Sequence, residues 1–315
     1  MQAVILAGGK GTRLRPFTLL QPKPLLPLLD IPFLVWMVER CRQTGITDVI
    51  FSLGYLGDRI ESFFKAHETG GMTLHFVHET TPLDTAGGML LAKPYYNGDP
   101  LLVFNADILT DLDLSALMER HRSSGATATL TLTRVEDITA FGLVETDDQG
   151  RIVSFREKPS AEEAATITTD TINAGTYVVD PTVFEPYSVG DPLSYERQVF
   201  PDLLAAGHPM VAHVHEGYWR DLGKPASYYD GQLDILTGSM SDYPLPEVEQ
   251  IKPGIWVHRT AEVDPAAQLE SPCYVGSQAK IGADAVLPAG TLVCRCSWIN
   301  RRLEPGVYAP GTLAV

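Results

Sequence analysis

Short apolar runs separated by segments of helical period fill the first three-quarters of the chain. Ala3-Val4-Ile5-Leu6 is too short for a helix and predicts a buried strand. From Pro32 to Thr44, Phe33, Leu34, Met37, Val38 and Cys41 recur on one helical face, with Gly45 as the stop. Asp48 to Leu53 predicts a second strand, Leu56 to Ala66 a helix and Met72 to Val77 a third strand. Leu101 to Phe104 is a four-residue apolar run suited to a central strand. A helix over Ser115 to Ser124, strands over Ala126 to Arg134 and Val211 to His215, and a helix over Ser227 to Gly238 follow. Ala140 to Glu145 and Ile152 to Phe155 flank a Gln149-Gly150 turn and predict an antiparallel hairpin. Strands alternating with helices imply an α/β fold with a doubly wound, mixed but mainly parallel sheet. Ligands in such sheets bind beyond the carboxyl ends of the strands.

The period changes near the carboxyl terminus. Val257, Val263, Leu269, Val275, Ile281, Leu287 and Val293 are spaced six apart, and Ala261, Ala267, Cys273, Ala279, Ala285 and Thr291 keep a second six-residue register. Two registers at period six predict a short left-handed β-helix over 254–315, one apolar residue per face pointing inward. The proline-bearing stretch 239–253 reads as a linker from a first domain over 1–238.

A chain of 315 residues can bury a sizeable core. Its net charge of −15 argues against nucleic acid as a partner, because binding a polyanion needs a basic surface. The apolar runs are too short to span a bilayer and the first residues show no signal segment, so a cytoplasmic protein without a membrane partner is expected. Four scattered cysteines do not suggest a disulfide framework, and Cys294-Arg295-Cys296 has the wrong spacing for zinc.

Candidate chemistry begins where the first strand ends. Gly8, Gly9 and Gly11 lie within four positions of one another, followed by Thr12-Arg13 and later by Pro22-Lys23-Pro24. Glycines let backbone N–H groups close on an anion, and Arg13 and Lys23 add full positive charges. The spacing excludes a P-loop, which needs Gly-Lys-Ser/Thr, and a dinucleotide fingerprint, which needs glycine where Leu14 stands. Asp107 sits at the carboxyl edge of the Leu101 to Phe104 run, where aspartate is a poor strand former and suits a hard cation; Asp111 and Asp113 better suit helix caps. Glu79 opens a second Gly-rich segment ending in Thr85-Ala86-Gly87-Gly88, read as a connection leading into a helix from Met89. A carboxylate only accepts hydrogen bonds, and the guanine edge offers two adjacent donors, whereas uracil or thymine would suit glutamine better.

The Gly-Gly-x-Gly-Thr-Arg loop with its Pro-Lys-Pro resembles that of the sugar-1-phosphate nucleotidylyltransferases. Glu79 to Gly88, Glu157-Lys158-Pro159, Asn173-Ala174-Gly175, Ser194 to Pro201 and Gly217 to Pro225 continue the resemblance in the family's order over 1–238. The pattern departs at Asp84, where many members carry glycine. The resemblance implies a Rossmann-like nucleotidyltransferase fold, and a reaction joining a nucleoside triphosphate to a sugar 1-phosphate with release of pyrophosphate. It implies Mg²⁺ held by Asp107 and Asp221. It assigns Arg13 and Lys23 to catalysis, and Leu6, Gly8, Gly9, Gly11, Thr12, Glu79, Thr85, Ala86 and Gly87 to the nucleotide. It gives Asn105, Gly142, Glu157, Lys158 and Asn173 to the sugar phosphate. Within the family the segments look most like mannose-1-phosphate or manno-heptose-1-phosphate guanylyltransferases. Thymidylyl or uridylyl transfer to glucose 1-phosphate is the alternative, and a silent regulatory subunit would be expected to lack loop or metal residues present here. A homo-oligomer through the C-terminal repeats is expected.

Overall fold

The computed structural model describes residues 1–135, 137–158 and 169–315. Two compact units emerge: one comprises Met1–Pro24, Met37–Ile108 and Leu112–Trp219, the other Leu25–Trp36, Leu109–Asp111 and Arg220–Val315.

The first unit is built on one mixed sheet. Strands β1 (Gln2–Ala7), β2 (Asp48–Leu53), β3 (Thr73–His78) and β4 (Leu101–Asn105) form its parallel half, in the order β3-β2-β1-β4. Ala3, Val4 and Ile5 and their neighbours Val49, Ile50, Phe51 and Leu101 to Val103 are fully buried, as a sheet covered on both faces requires. Beyond β4 the direction changes. Strand β5 (Ala128–Arg134), the hairpin β6 (Gly142–Thr146) and β7 (Ile152–Glu157), β8 (Thr171–Val179) and β9 (Met210–Val214) complete the sheet. Antiparallel pairs are β4 with β8, β8 with β5, β8 with β6 and β6 with β7; parallel pairs are β1 with β2, β1 with β4, β2 with β3 and β5 with β9. The expected mainly parallel sheet is thus evenly mixed, because β8 enters beside β4 from the opposite end.

Helices α1 (Phe33–Gln43), α2 (Gly57–Lys65) and α4 (Leu114–Ser124) fall where the apolar period places them, with Asp113 accepting from the Ala116 N–H as the cap of α4. Helix α3 does not. It spans Asp84–Ala92, so Thr85-Ala86-Gly87-Gly88 forms its first turns instead of a connection. The Leu193 carbonyl accepts from the Ala86 and Gly87 N–H groups, satisfying donors that a helix start leaves orphaned. A Cβ on Gly87 would lie 2.6 Å from Leu83 Cβ and one on Gly88 would meet Ser52 Oγ, so these glycines serve packing.

The second unit carries α5 (Pro225–Thr237), ended by Gly238 in the left-handed conformation, and short strands repeating every eighteen residues. Ile255, Cys273 and Thr291 are in register in one parallel stack, and Glu262, Lys280 and Trp298 in a second; Gln268 and Val286 pair in a third. Val257, Val275, Ile281, Leu287, Val293 and Ile299 pack inward together with the small Cys273, Ala279 and Ala285. The second half of the expected linker is not irregular: Val248–Lys252 is a strand antiparallel to Ile255–His258. Its side chains are mostly exposed, which removes the apolar signal that would have marked it.

Candidate active site

A cleft of about 840 Å³ opens at the carboxyl ends of β1 to β4. Leu6, Gly8, Gly9, Lys23, Glu79, Thr85, Asn105 and Asp107 line it together, although up to a hundred residues separate them in sequence. The Gly-rich loop turns sharply after β1. Gly11 takes φ 57°, its carbonyl accepts from Thr18 Oγ1 at 2.7 Å, and a Cβ there would press on Lys23 Cβ at 3.1 Å. Gly54, opposite, approaches so closely that its Cβ would lie 2.5 Å from the Gly8 carbonyl oxygen. Among the described residues, none accepts from the amides of Gly8 to Thr12. Thr12 and Arg13 are exposed on the turn that follows, outside the cleft lining.

Lys23 Nζ lies 2.5 Å from Asp107 Oδ2, with the two side chains 13% and 32% exposed. The candidate phosphate-binding lysine and the candidate metal carboxylate are therefore partners. Asp221 belongs to the second unit, where its Oδ1 accepts from the Gly223 N–H at 2.6 Å and shapes the turn into α5.

Glu79 directly follows β3 and is no solvated loop carboxylate. Its Oε1 accepts from Ser52 Oγ at 3.0 Å and its Oε2 from the Leu83 N–H at 3.1 Å. Burial raises its pKa above the usual carboxylate value, these two bonds pull it down, and nearby Asp84 raises it further. Asp84 itself takes φ 64°, the left-handed conformation open to glycine and tolerated by aspartate. Its carboxylate accepts from the Thr85 N–H at 2.9 Å and from the Arg197 guanidinium. Thr85 is already engaged, donating to Glu196 Oε2 at 2.7 Å and accepting from the Tyr195 N–H at 2.9 Å. Ala86 and Gly87 are buried beneath the cleft and do not line it.

A second group gathers on β6, β7 and β8. Gly142 pairs with Glu157 across the hairpin, and a Cβ on Gly142 would lie 2.9 Å from Glu157 Oε2. Asn173 opens a bulge in β8; its Oδ1 accepts from the Gly175 N–H at 3.0 Å and its Nδ2 donates to the buried Tyr177 hydroxyl at 2.7 Å. Asn105 joins this group to the cleft, since it lines the cleft and lies where a Gly175 Cβ would meet its Nδ2 at 2.8 Å. Lys158, at φ 48°, is exposed with Nζ 3.3 Å from Glu157 Oε1, and Pro159 lies outside the described residues. Residues not singled out in the sequence also matter here: Ser52 and Arg197 hold Glu79 and Asp84, and Tyr55 lines the cleft. Ser52 could have been found as a lone hydroxyl near the end of an apolar strand.

The nucleotidyl transferase family model matches residues 2–238. The chain belongs to the nucleotidyl transferase family. A mannose-1-phosphate guanylyltransferase of Mycobacterium tuberculosis is 40% identical over 283 residues, covering 90% of this chain and 77% of that protein. A UTP–glucose-1-phosphate uridylyltransferase of Synechocystis is 32% identical over 335 residues, covering 97% and 85%. Among solved structures, HddC from Yersinia pseudotuberculosis complexed with GMP-PN superposes with a TM-score of 0.63 at 28% identity, covering 74% of this chain and 99% of that one. This nucleotidyl transferase is an enzyme of the sugar-1-phosphate nucleotidylyltransferase class, as the loop motifs led one to expect. Among the described residues no helix is long and apolar enough to cross a membrane.

Proposed function

We propose that this nucleotidyl transferase joins GTP to mannose 1-phosphate, giving GDP-mannose and pyrophosphate. The observation that carries the base assignment is Glu79, a half-buried carboxylate fixed by Ser52 and Leu83 on the cleft wall. A fixed acceptor matches the two adjacent donors of guanine. The 40% identity to a mannose-1-phosphate guanylyltransferase supports the same choice.

The Gly8 to Thr12 amides and Arg13 take the β- and γ-phosphates, and Lys23 the α-phosphate. Asn105, Gly142, Glu157 and Asn173 hold the sugar, and Lys158 its phosphate. An oxygen of the sugar phosphate, largely ionised at neutral pH, attacks the α-phosphorus in line. The new P–O bond forms as the bond to the bridging oxygen of pyrophosphate breaks, and pyrophosphate leaves with the electron pair. No proton need be removed, so positioning and charge stabilisation supply the catalysis. Asp107 offers hard carboxylate oxygen at the cleft, partly exposed, which fits Mg²⁺ in exchange for or beside its Lys23 partner; Asp221 is its proposed companion. When bound, Mg²⁺ would neutralise triphosphate charge that an acidic chain cannot otherwise balance.

The eighteen-residue register of the second unit supports a short left-handed β-helix. Its neighbouring Trp298 and Leu313 are exposed, which supports self-association through it. Calorimetric titration in Mg²⁺ tests the base assignment: GTP should bind at least about 10-fold more tightly than UTP or dTTP, the discrimination expected of paired hydrogen bonds. Equal or tighter UTP binding would favour uridylyl transfer instead.

A further inference from the structure

Glu196 enters no step of the proposed reaction and does not line the cleft. It lies in the first unit, just past Leu193, where the chain meets residues 83–87. Although 111 positions separate Thr85 from Glu196, the two stretches are tied residue by residue. The Leu193 N–H donates to the Leu83 carbonyl at 2.9 Å, and the Leu193 carbonyl accepts from the Ala86 N–H at 2.8 Å and the Gly87 N–H at 3.0 Å. The Tyr195 N–H donates to Thr85 Oγ1 at 2.9 Å, and that hydroxyl donates in turn to Glu196 Oε2 at 2.7 Å. Arg197 closes the row on the Asp84 carboxylate.

The Glu196 side of this seam is rigid. Tyr195–Val199 form a single π-helical turn, with the Val199 N–H bonded to the Ser194 carbonyl at 3.0 Å, a form that recurs at functional sites. The Tyr195 ring is fully buried, its centroid 5.2 Å from that of Phe200 and 5.4 Å from that of Tyr177. Ser194 holds Glu196 from its own side, its Oγ donating to the same Oε2 at 2.9 Å. Two hydroxyls on one carboxylate oxygen are charge-assisted bonds that fix the side chain. Across the seam, Asp84 keeps its left-handed backbone, which persists only where surroundings hold it. The Leu83 N–H beside it is the donor that fixes Glu79 Oε2 at 3.1 Å.

We infer that Glu196 is a positioning residue for base selection: by holding Thr85 it fixes the turn over 83–85 and, through the Leu83 N–H, the direction in which Glu79 faces the cleft. The inference rests on the reading of Glu79 as the acceptor for the base. The lever is short, since only Asp84 stands between Thr85 and Leu83. Without Glu196 the Thr85 hydroxyl keeps the Tyr195 amide but loses its acceptor, and the turn that presents Leu83 to Glu79 loosens. A carboxylate free to swing discriminates between bases less sharply than one held by its supporting shell. The Leu193 bonds and the Asp84 pair with Arg197 remain, so the loss is partial.

Full-length Glu196→Ala, Glu196→Gln and Glu79→Ala enzymes and the Glu196→Ala/Glu79→Ala double variant test it, each compared with wild type for folding by circular dichroism. The first readout is amide hydrogen exchange over 80–88, followed by peptide mass spectrometry. The second is the ratio of kcat/KM for GTP to that for UTP. We expect exchange over 80–88 to be several-fold faster in Glu196→Ala and the ratio to fall about 3- to 10-fold, at most the worth of one hydrogen bond. Glu196→Gln keeps an oxygen that can accept from both hydroxyls and should restore both readouts. In the Glu79→Ala background the Glu196→Ala change should leave the ratio where it was, because the group it positions is gone. Should Glu196→Ala not fold, Thr85→Val, which removes the donor of the same bond, takes its place. Unchanged exchange, an unchanged ratio where Glu79→Ala alone lowers it, or an equal loss in both backgrounds would overturn the inference. A Glu79→Ala enzyme with wild-type base preference would instead sink the base assignment, and the exchange arm would still judge the tie between Glu196 and the turn.

Discussion

Lys23 Nζ and Asp107 Oδ2 meet at 2.5 Å at the carboxyl end of the central strands. The pair joins the loop that follows β1 to the end of β4, across 84 positions of sequence. Each group thus holds the other in place: the opposite charges orient the lysine and the carboxylate toward one another at the cleft. Replacing either should cost far more activity than stability. Lys23→Ala and Asp107→Ala are each expected to lower kcat at least about 100-fold, the usual loss on removing one preorganised charge-stabilising group. Melting temperatures within a few degrees of wild type should accompany that loss, because the pair is partly solvated. Pyrophosphate release and calorimetry measure the two.

Glu79 gives a pH-dependent prediction. Its folded pKa is raised by burial, so its contribution to stability is fully present below the unfolded carboxylate pKa and is lost as pH rises through the folded value. At neutral pH the ionised side chain therefore costs stability. Glu79→Gln removes that cost and keeps both bonds, since its carbonyl can accept from the Leu83 N–H and its amide can donate to Ser52 Oγ. The variant should be as stable as wild type or more so at pH 7, with the difference vanishing near pH 4. Its kcat/KM for GTP should drop about 10- to 100-fold, the worth of one or two hydrogen bonds to a charged acceptor. Denaturant titrations at the two pH values, with steady-state kinetics, check both halves.

Asp84 replaces a glycine typical of related loops yet keeps a backbone that glycine favours, at φ 64°. Asp84→Gly should retain the fold, while Asp84→Ala should lose about 1 kcal/mol more, because alanine in the left-handed region has neither the freedom of glycine nor the local hydrogen bond of aspartate. Urea midpoints of the two variants make the comparison.

At Gly142 a side chain has no room, since a Cβ would stand 2.9 Å from both Glu157 Oε2 and Phe155 Cζ. Gly142→Ala should displace Glu157 and raise KM for the sugar phosphate several-fold while leaving GTP binding near wild type. A parallel rise in both constants would show that Glu157 does not serve the sugar alone.

Most of the framework is legible in the chain because burial on both faces writes continuous apolar runs. The Leu101 to Phe104 run and the six-residue register are examples. What escaped reading depends on partners distant in sequence. Thr85 to Gly88 looks like a loop because the Leu193 carbonyl that caps it lies over a hundred residues on. Val248–Lys252 leaves even Ile251 exposed, and Glu249, Gln250 and Lys252 interrupt any apolar run that would have marked a strand. Between Pro27 and Pro32 stand two leucines, an aspartate and an isoleucine, with no glycine or asparagine to announce a turn, because the repeats and α5 hold the turn from outside. In the site, the charged and Gly-rich positions were readable one by one. The Lys23 to Asp107 pairing and the service of Ser52 and Arg197 were not, since they arise only when strand ends converge.

The base and the sugar that this nucleotidyl transferase accepts define its reaction. The most direct measurement is pyrophosphate release from GTP, UTP, dTTP, ATP and CTP, each paired with mannose, manno-heptose and glucose 1-phosphates in Mg²⁺. Release with GTP and mannose 1-phosphate well above every other pair is the predicted result. Equal or faster release with UTP or dTTP and glucose 1-phosphate would contradict it.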